Sequence, residues 1–294
     1  MSASSKIDLH IHSKDCSDGK LTLSQIFEEA HRRGIKVISI TDHDSIDCQE
    51  EAQRLANKYG MHYITGVELN IRFRPYPDSK EISLDILGYQ FDIHNETIKK
   101  RLHELRDYRK KRAKKILEKL NNELIEDGFS PLTMKDMEEI ERRADGTLGR
   151  PHIADYMIEK GIVSSRKEAF ERYLIKCDVP KMPLSLEEAS SLIRGAGGKA
   201  VLAHPNNPNG TSLNEITDDI DEQLRIISEK MLPYLDGIEC WHSKHSPKAV
   251  MKYLRFSEEH NLIVTGGSDC HQDPIIMGAI DVPSIVAKQF GIEI

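Results

Sequence analysis

Asp8, His10 and His12 stand at alternate positions near the start of the chain, in DLHIHS. In an extended strand successive side chains point to opposite faces, so a period of two puts all three on one face. Two imidazoles placed this way reach one metal ion, and an acid behind them can orient a ring. Other polar residues each follow a short apolar run: His43 in TDHDS, Glu68 in TGVE, His204 in LAHP, and Asp269 with His271 in GGSDCH. Asp85 joins them from inside the run 82–88. At the carboxyl ends of parallel strands, residues distant in sequence converge on one mouth. Five histidines and several carboxylates meeting there require cations to balance them. No cysteine is among them, so the donors are nitrogen and oxygen, which suit Zn, Mn or Fe(II) without choosing between them.

The elements that must position these residues follow from apolar spacing. Residues 6–11, 37–41, 62–65 and 82–88 read as strands, and 23–33 and 47–59 as amphipathic helices closed by Gly34 and Gly60. Short links between alternating strands and helices indicate βα units and a parallel sheet or barrel. The rhythm then changes. Residues 95–128 read as one long helix with a stripe of Ile98, Leu102, Leu105, Ala113, Ile116, Leu117, Leu120 and Leu124. Within it, residues 99–119 carry eleven Lys/Arg and three acids. A solvated face accounts for the lysines. Arg106, Arg109 and Arg112, three residues apart, are the candidates for guiding a polyanion. With further helices at 133–143, 151–160 and 166–174, the stretch 95–180 reads as an all-helical insertion between α/β parts at 1–94 and 181–294. Alternation resumes at 186–195, 199–203, 220–231, 237–240, 245–260 and 263–265.

Composition narrows the class of protein. A 38% apolar and 30% charged chain of 294 residues can build a sizeable core. It holds no apolar run of about 18 residues, so no membrane span is expected. The net charge of −7 argues against wholesale coating of nucleic acid. The first residues contain no apolar stretch suited to export. The five cysteines are scattered and unpaired in sequence, which predicts no disulfide framework, no thiolate zinc site, and a reducing, cytoplasmic setting.

The motifs DLHIHS, SDG, ITDHDS, GVE, LAHP and GSDCH, in this order, resemble those of the PHP (polymerase and histidinol phosphatase) superfamily. The segments LGRPHIADYMIEKGIV and AFERYLIKCDVPKMPLSLEEASSLIRGAGGKAVLAHP resemble its branch acting on nucleoside 3′,5′-bisphosphates and short RNA ends. The resemblance implies a distorted (β/α)7 barrel of PHP type carrying the helical insertion, with two or three divalent metals (Mn, Fe or Zn) at its mouth. By this resemblance His10, His12, Glu68 and Asp269 hold the first metal. Glu68 bridges to a second, completed by His204 and Asp85, and Asp18, His43 and His271 hold the third. Two departures stand out. The family carries histidine where this chain has Asp85, which favours harder cations or weakens the second site. The loop SKDCSDG is one residue longer than in near relatives and leaves Asp15 as a rival to Asp18, which the SDG setting favours.

The expected reaction is hydrolysis of a phosphate monoester by a metal-bound hydroxide, without a covalent intermediate. A ligating histidine is a poor general acid, so either His245 or a water on the third metal protonates the leaving group. Arg150 and His152, in GRPH at a helix start, either anchor a substrate phosphate or are an ordinary charged helix start; the resemblance favours the anchor. His245 matches a family position at the mouth, and Trp241 is either a stacking platform or core. Nucleoside 3′,5′-bisphosphates and the 5′ ends of short RNA are the expected substrates, with no obligatory protein partner. A small-molecule phosphatase, such as one for histidinol phosphate, and a non-catalytic PHP module are the alternatives.

Overall fold

Glycines end the first two helices where the spacing predicts them. The computed structural model describes residues 5–144, 149–180, 182, 184–208, 210–272 and 274–294. In it α1 (Leu23–Arg33) stops at Gly34 and α2 (Gln49–Tyr59) at Gly60, with φ of 77° and 67°. A side chain is strained at such angles, and glycine is not. Leu148, Lys181 and Pro183, from the motifs singled out above, lie outside the described residues.

Eight strands form two sheets among the described residues. β1 (Ile7–Asp8), β2 (Val37–Ile38) and β3 (His62–Tyr63) pair in parallel in that order. The second sheet runs β4 (Gly66–Phe73), β5 (Ile82–Tyr89), β6 (Lys199–Leu202), β7 (Gly237–His242), β8 (Ile263–Gly267). Here β4–β5 and β5–β6 are antiparallel, and β6–β7 and β7–β8 are parallel. The expectation of a parallel arrangement therefore fails at β4 and β5. Two eight-residue runs joined by a short Pro-containing turn make a hairpin, which needs no crossover helix. Glu68 consequently lies inside a strand, opposite Leu87, and not just beyond one.

The sheets meet at two seams, and both carry candidate site residues. At one, Leu9 N–H donates to Gly266 O and Ile11 bridges Cys270. At the other, His43 bridges Glu68. The first seam is close: a Cβ on Gly267 would come within 2.4 Å of the His10 backbone nitrogen, so only glycine fits.

The long basic helix α3 (Glu96–Glu126) is capped by the Asn95 side chain, which accepts from the Thr97 and Ile98 amides. Its apolar stripe serves two cores. Ile98, Leu102 and Leu105 pack with β4, β5 and β6. From Ala113 to Leu124 the stripe packs instead against α4 (Met134–Ala144), α5 (Arg150–Glu159) and α6 (Arg166–Ala169, continued by a wide turn through Leu174). Each buried Leu or Ile there contributes about 1.5–3 kcal/mol by leaving water. The remaining helices, α7 (Leu186–Gly195), α8 (Ile220–Ile226), α9 (Pro247–Glu259) and α10 (Ile285–Lys288), cover the second sheet.

The three singled-out arginines are structural ties. Arg106 bonds Asp47 and Arg109 bonds Asp44, linking α3 to the loop that follows His43. Arg112 bonds Asp178 and the Val179 carbonyl within the helical block. Trp241 is partly buried against two core clusters, so of the two readings it is core. The expectation of unpaired cysteines is corrected as well: Cys16 and Cys48 form a disulfide, while Cys177, Cys240 and Cys270 are free and buried. The bridged residues lie 32 apart on loops that the fold alone brings together, so no spacing motif announces them.

Candidate metal centre

The nine side chains proposed as ligands come together from six segments of the chain. His10 and His12 follow β1 and are completely buried. Glu68 projects from β4 into the middle of the group. Its Oε1 lies 3.3 Å from His10 Nε2 and 3.0 Å from His204 Nε2, and its Oε2 lies 3.2 Å from His12 Nε2 and 3.1 Å from His43 Nδ1. Asp269 Oδ1 approaches His12 Nε2 at 3.3 Å and His10 Nε2 at 3.6 Å. Around Asp18 stand His12, His43 and His271, with Asp18 Oδ1 3.2 Å from His271 Nε2. Asp85 groups with His43 and Glu68. Asp15, the rival of Asp18, is elsewhere: its carboxylate accepts from the Leu23 amide at the start of α1.

Several observations fit divalent cations to this group. His10 Nε2, both ring nitrogens of His12 and His204 Nδ1 are buried without a hydrogen-bond partner, an arrangement costly unless an ion takes the lone pair. The electrostatics agree. Burial disfavours a charged His12, yet Asp269 and Glu68 outweigh burial and push the ring up to about 10. For His204 burial is again opposed, by Glu68, Asp269 and Asp85, and the ring rises to about 9. Glu68 is held well below the usual carboxylate range: burial raises it, but His10 and His43 prevail. The carboxylates demand positive charge, and protons on the imidazoles supply it where metal does not. A set of nitrogen and oxygen donors without thiolate suits Zn, Mn or Fe(II).

The residues behind the proposed ligands hold the backbone. Asp8 does not orient a ring. Its carboxylate accepts backbone N–H bonds from His10, Ser268 and Gly278, at 3.3, 2.9 and 2.8 Å, and so ties the first ligand segment to the last. Asp42 accepts from Ser13 N and Oγ and fixes the chain after His12. Gln272 spans the same gap, donating to the His12 carbonyl and accepting from the Lys20 and Leu21 amides. Asp85 accepts from Asn70 Nδ2 at 2.7 Å and from the Thr211 hydroxyl. His204 and Asp269 adopt positive φ, 25° and 54°, a strained backbone that aims both side chains inward.

Sequence reasoning missed Glu239 and left His242 unassigned. Both lie on β7, buried and turned inward, and His242 Nε2 is 3.4 Å from Asp269 Oδ2. They are three residues apart because the strand slips register between Glu239 and Trp241. Such a bulge breaks the period of two on which a strand reading depends. The available signal was an acid within the otherwise apolar GIEC.

The three proposed substrate residues separate. His152 lines a cleft of about 330 Å³ between the Asp18 loop and α5, together with Lys14 and Lys20. Arg150 turns away, 3.0 Å from Asp178 and over the Phe170 ring. His245 Nδ1–H donates to the Cys240 carbonyl at 2.9 Å, and its Nε2 accepts from the Asn206 amide. Burial, with His242 beside it, pushes this ring down to about 4. At neutral pH it therefore carries no spare proton for a leaving group.

A buried imidazole–carboxylate centre on an α/β scaffold fits divalent cations, and its relatives make the chain a metal-dependent phosphoesterase. The chain belongs to the PHP-domain family, whose model matches residues 8–145. It is 31% identical over 273 residues to the 5′-3′ exoribonuclease of Haemophilus influenzae, covering 90% of each chain. It is 28% identical over 274 residues to the 3′,5′-nucleoside bisphosphate phosphatase of Chromobacterium violaceum, covering 90% of this chain and 87% of that one. Among solved structures, a Bifidobacterium adolescentis protein provisionally described as a metal-dependent phosphoesterase superposes with a TM-score of 0.77 at 29% identity, covering 96% and 94%. No helix among the described residues is long and apolar enough to cross a membrane.

Proposed function

We propose that this protein removes phosphate from nucleoside 3′,5′-bisphosphates and also acts on the 5′ ends of short RNA. The observation that carries the hydrolytic part is the buried Glu68 carboxylate with four imidazoles at 3.0–3.3 Å around it, among which His10 Nε2, both nitrogens of His12 and His204 Nδ1 make no hydrogen bond. Two or three divalent cations would be held there: by His10, His12, Glu68 and Asp269; by Glu68, Asp85 and His204; and by Asp18, His43 and His271. Bound cations supply charge neutralisation at the phosphoryl group and a more acidic water near neutral pH. The two seams support reading the sheets as one distorted (β/α)7 barrel, and the separate core at 113–177 supports the helical block as an insertion.

Substrate choice rests on the helical block and on the two nucleotide-directed relatives. The cleft beside Asp18 offers Lys14, Lys20 and His152 to a second phosphate or a nucleotide, and its volume suits a ligand of that size. Arg150 supports the anchor indirectly, by holding Asp178 and bracing α5. His245 supports the mouth by fixing the Asn206 backbone just beyond His204, and leaving-group protonation falls to solvent on the Asp18 side.

The test measures bound metal in the purified protein and then phosphate release, with added Mn, from three compounds: adenosine 3′,5′-bisphosphate, histidinol phosphate and 5′-phosphorylated RNA. Turnover of the first and third, lost about 1,000-fold or more in Glu68→Gln (~4 kcal/mol of barrier), is the expected result. Preference for histidinol phosphate overturns the substrate assignment, and no turnover of any by metal-loaded protein overturns the enzyme reading.

A further inference from the structure

The buried carboxylate on β7 has no part in the ligand sets above, yet it touches two of them. Glu239 is completely buried. Its Oε1 lies 3.0 Å from His10 Nδ1, and its Oε2 accepts the backbone N–H of His204 at 2.9 Å. Each oxygen thus meets a group from a different segment, one following β1 and the other following β6.

We infer that Glu239 is the positioning residue that couples the two metal positions sharing Glu68, by fixing the tautomer of His10 and the backbone of His204 with one carboxylate. The chemistry follows from what each partner needs. A carboxylate behind Nδ1 keeps the proton there, so the His10 Nε2 lone pair faces Glu68 and Asp269. The negative charge also makes that lone pair more basic. At His204 the demand is conformational. Its φ of 25° is unfavourable for a residue with a side chain, and a hydrogen bond to its N–H helps to hold it there. With the backbone held, His204 Nε2 lies 3.0 Å from Glu68 Oε1. Glu68 joins the two ligands from the open side and Glu239 joins them from behind.

No other residue in the described structure makes both contacts. The Asp8 carboxylate reaches the His10 amide but not its ring. The bulge in β7 puts Glu239 in place: it turns Glu239 and His242 inward while Trp241 packs into the core.

This inference rests on the proposed metal-dependent reading, and Glu239→Gln tests it. Glutamine keeps the shape but has one acceptor oxygen where glutamate has two. Its amide NH₂ must then face either the His10 Nδ1–H or the His204 N–H, donor against donor. Mn²⁺ is titrated into metal-stripped wild type, Glu239→Gln and Glu239→Asp, and stoichiometry and affinity are read by calorimetry beside the unfolding midpoint of each apoprotein. Glu239→Gln is expected to bind 10- to 100-fold more weakly at the Glu68-linked positions. The Asp18–His43–His271 position, which Glu239 does not touch, should keep its affinity. A general packing defect would lower every position together. Glu239→Asp keeps both acceptors and should recover part of the loss, and it carries the test if Glu239→Gln fails to fold. In the apoprotein the His10 Nδ1–H proton should also be visible far downfield in the NMR spectrum and vanish in Glu239→Gln. Affinity within twofold of wild type at the Glu68-linked positions overturns the inference and leaves the enzyme reading standing. Wild-type protein that takes up no Mn²⁺ overturns the reading itself, and this inference with it.

Discussion

Opening the Cys16–Cys48 bridge frees the loop that carries Asp18 from the loop that follows His43. The bridge closes a 32-residue separation. In the chain-entropy picture a loop of that length constrains the unfolded chain by about 3.7 kcal/mol at 25 °C. Against an unfolding entropy of about 2.1 cal/mol/K for each of 294 residues, that is a fall of roughly 6 °C in unfolding midpoint. The native loop will not collapse altogether, because Ser13 stays bonded to Asp42 and Gly19 N–H to the Ser13 carbonyl. Nor can Gly19 be replaced to stiffen it, since a Cβ there would sit 2.4 Å from the His12 carbonyl oxygen. The functional loss should therefore centre on Asp18 and its neighbours, sparing His10, Glu68 and His204. Thiol titration of unfolded, unreduced protein should find three reactive cysteines, rising to five after reduction. Unfolding of oxidised, reduced and Cys16→Ser/Cys48→Ser protein then measures the stability. Five thiols before reduction, or equal midpoints for all three samples, would refute the reasoning.

Three more outcomes follow from the site. The raised ring values at His12 and His204, about 10 and about 9 against 6.5, mean that the metal-free fold binds protons more tightly than the unfolded chain. That stability is fully present below pH 6.5 and is lost as pH rises through 9–10, so the chelated protein's midpoint should fall over this range; Mn²⁺ should flatten the fall, and a flat metal-free profile contradicts the assignment. His245 has the opposite sign, being depressed to about 4. Its burial costs stability as pH drops from 6.5 towards 4, so His245→Asn should soften acid unfolding there and leave the neutral-pH rate profile unchanged in shape; a lost pH limb would restore His245 as a general acid. Asp85→His should change metal content, or affinity at the Glu68–His204 position, by about tenfold (~1.4 kcal/mol). Unchanged content and rate would show that position 85 is not a ligand.

The parts of this molecule legible in the sequence are those fixed by local periodicity. Helix α1 runs over 23–33 as its spacing predicts, and α7 over 186–195, because an apolar stripe and a cap are written within one element. Most of the proposed ligands stand out because they sit at or near the end of an apolar run, whereas Glu68 and Asp85 lie inside β4 and β5 and Asp18 in the SDG loop. Less was readable wherever a pairing decided the outcome. The β4–β5 hairpin, the Cys16–Cys48 bridge and the ties from Arg106 and Arg109 to Asp47 and Asp44 all depend on partners between 9 and 65 residues away. A charge run such as 99–119 does not say which of its members find an acid.

Asp85 shows what pairing adds to a reading by position. Taken alone, an aspartate where the family resemblance implies histidine suggests either a harder cation or a weakened site. In the fold its two oxygens each accept a bond, one from Asn70 Nδ2 and one from the Thr211 hydroxyl. An imidazole has one donor and one acceptor when neutral, so it cannot accept from both. Asn70 is itself held, since its N–H donates to Asp44, the carboxylate that Arg109 bonds. A carboxylate with both donors satisfied keeps a lone pair on each oxygen for a cation, and its Oδ2 already lies 3.9 Å from His204 Nε2. The surroundings of position 85 are thus built for oxygen. An aspartate at this position therefore keeps both of its protein contacts and still has oxygen lone pairs to offer a cation.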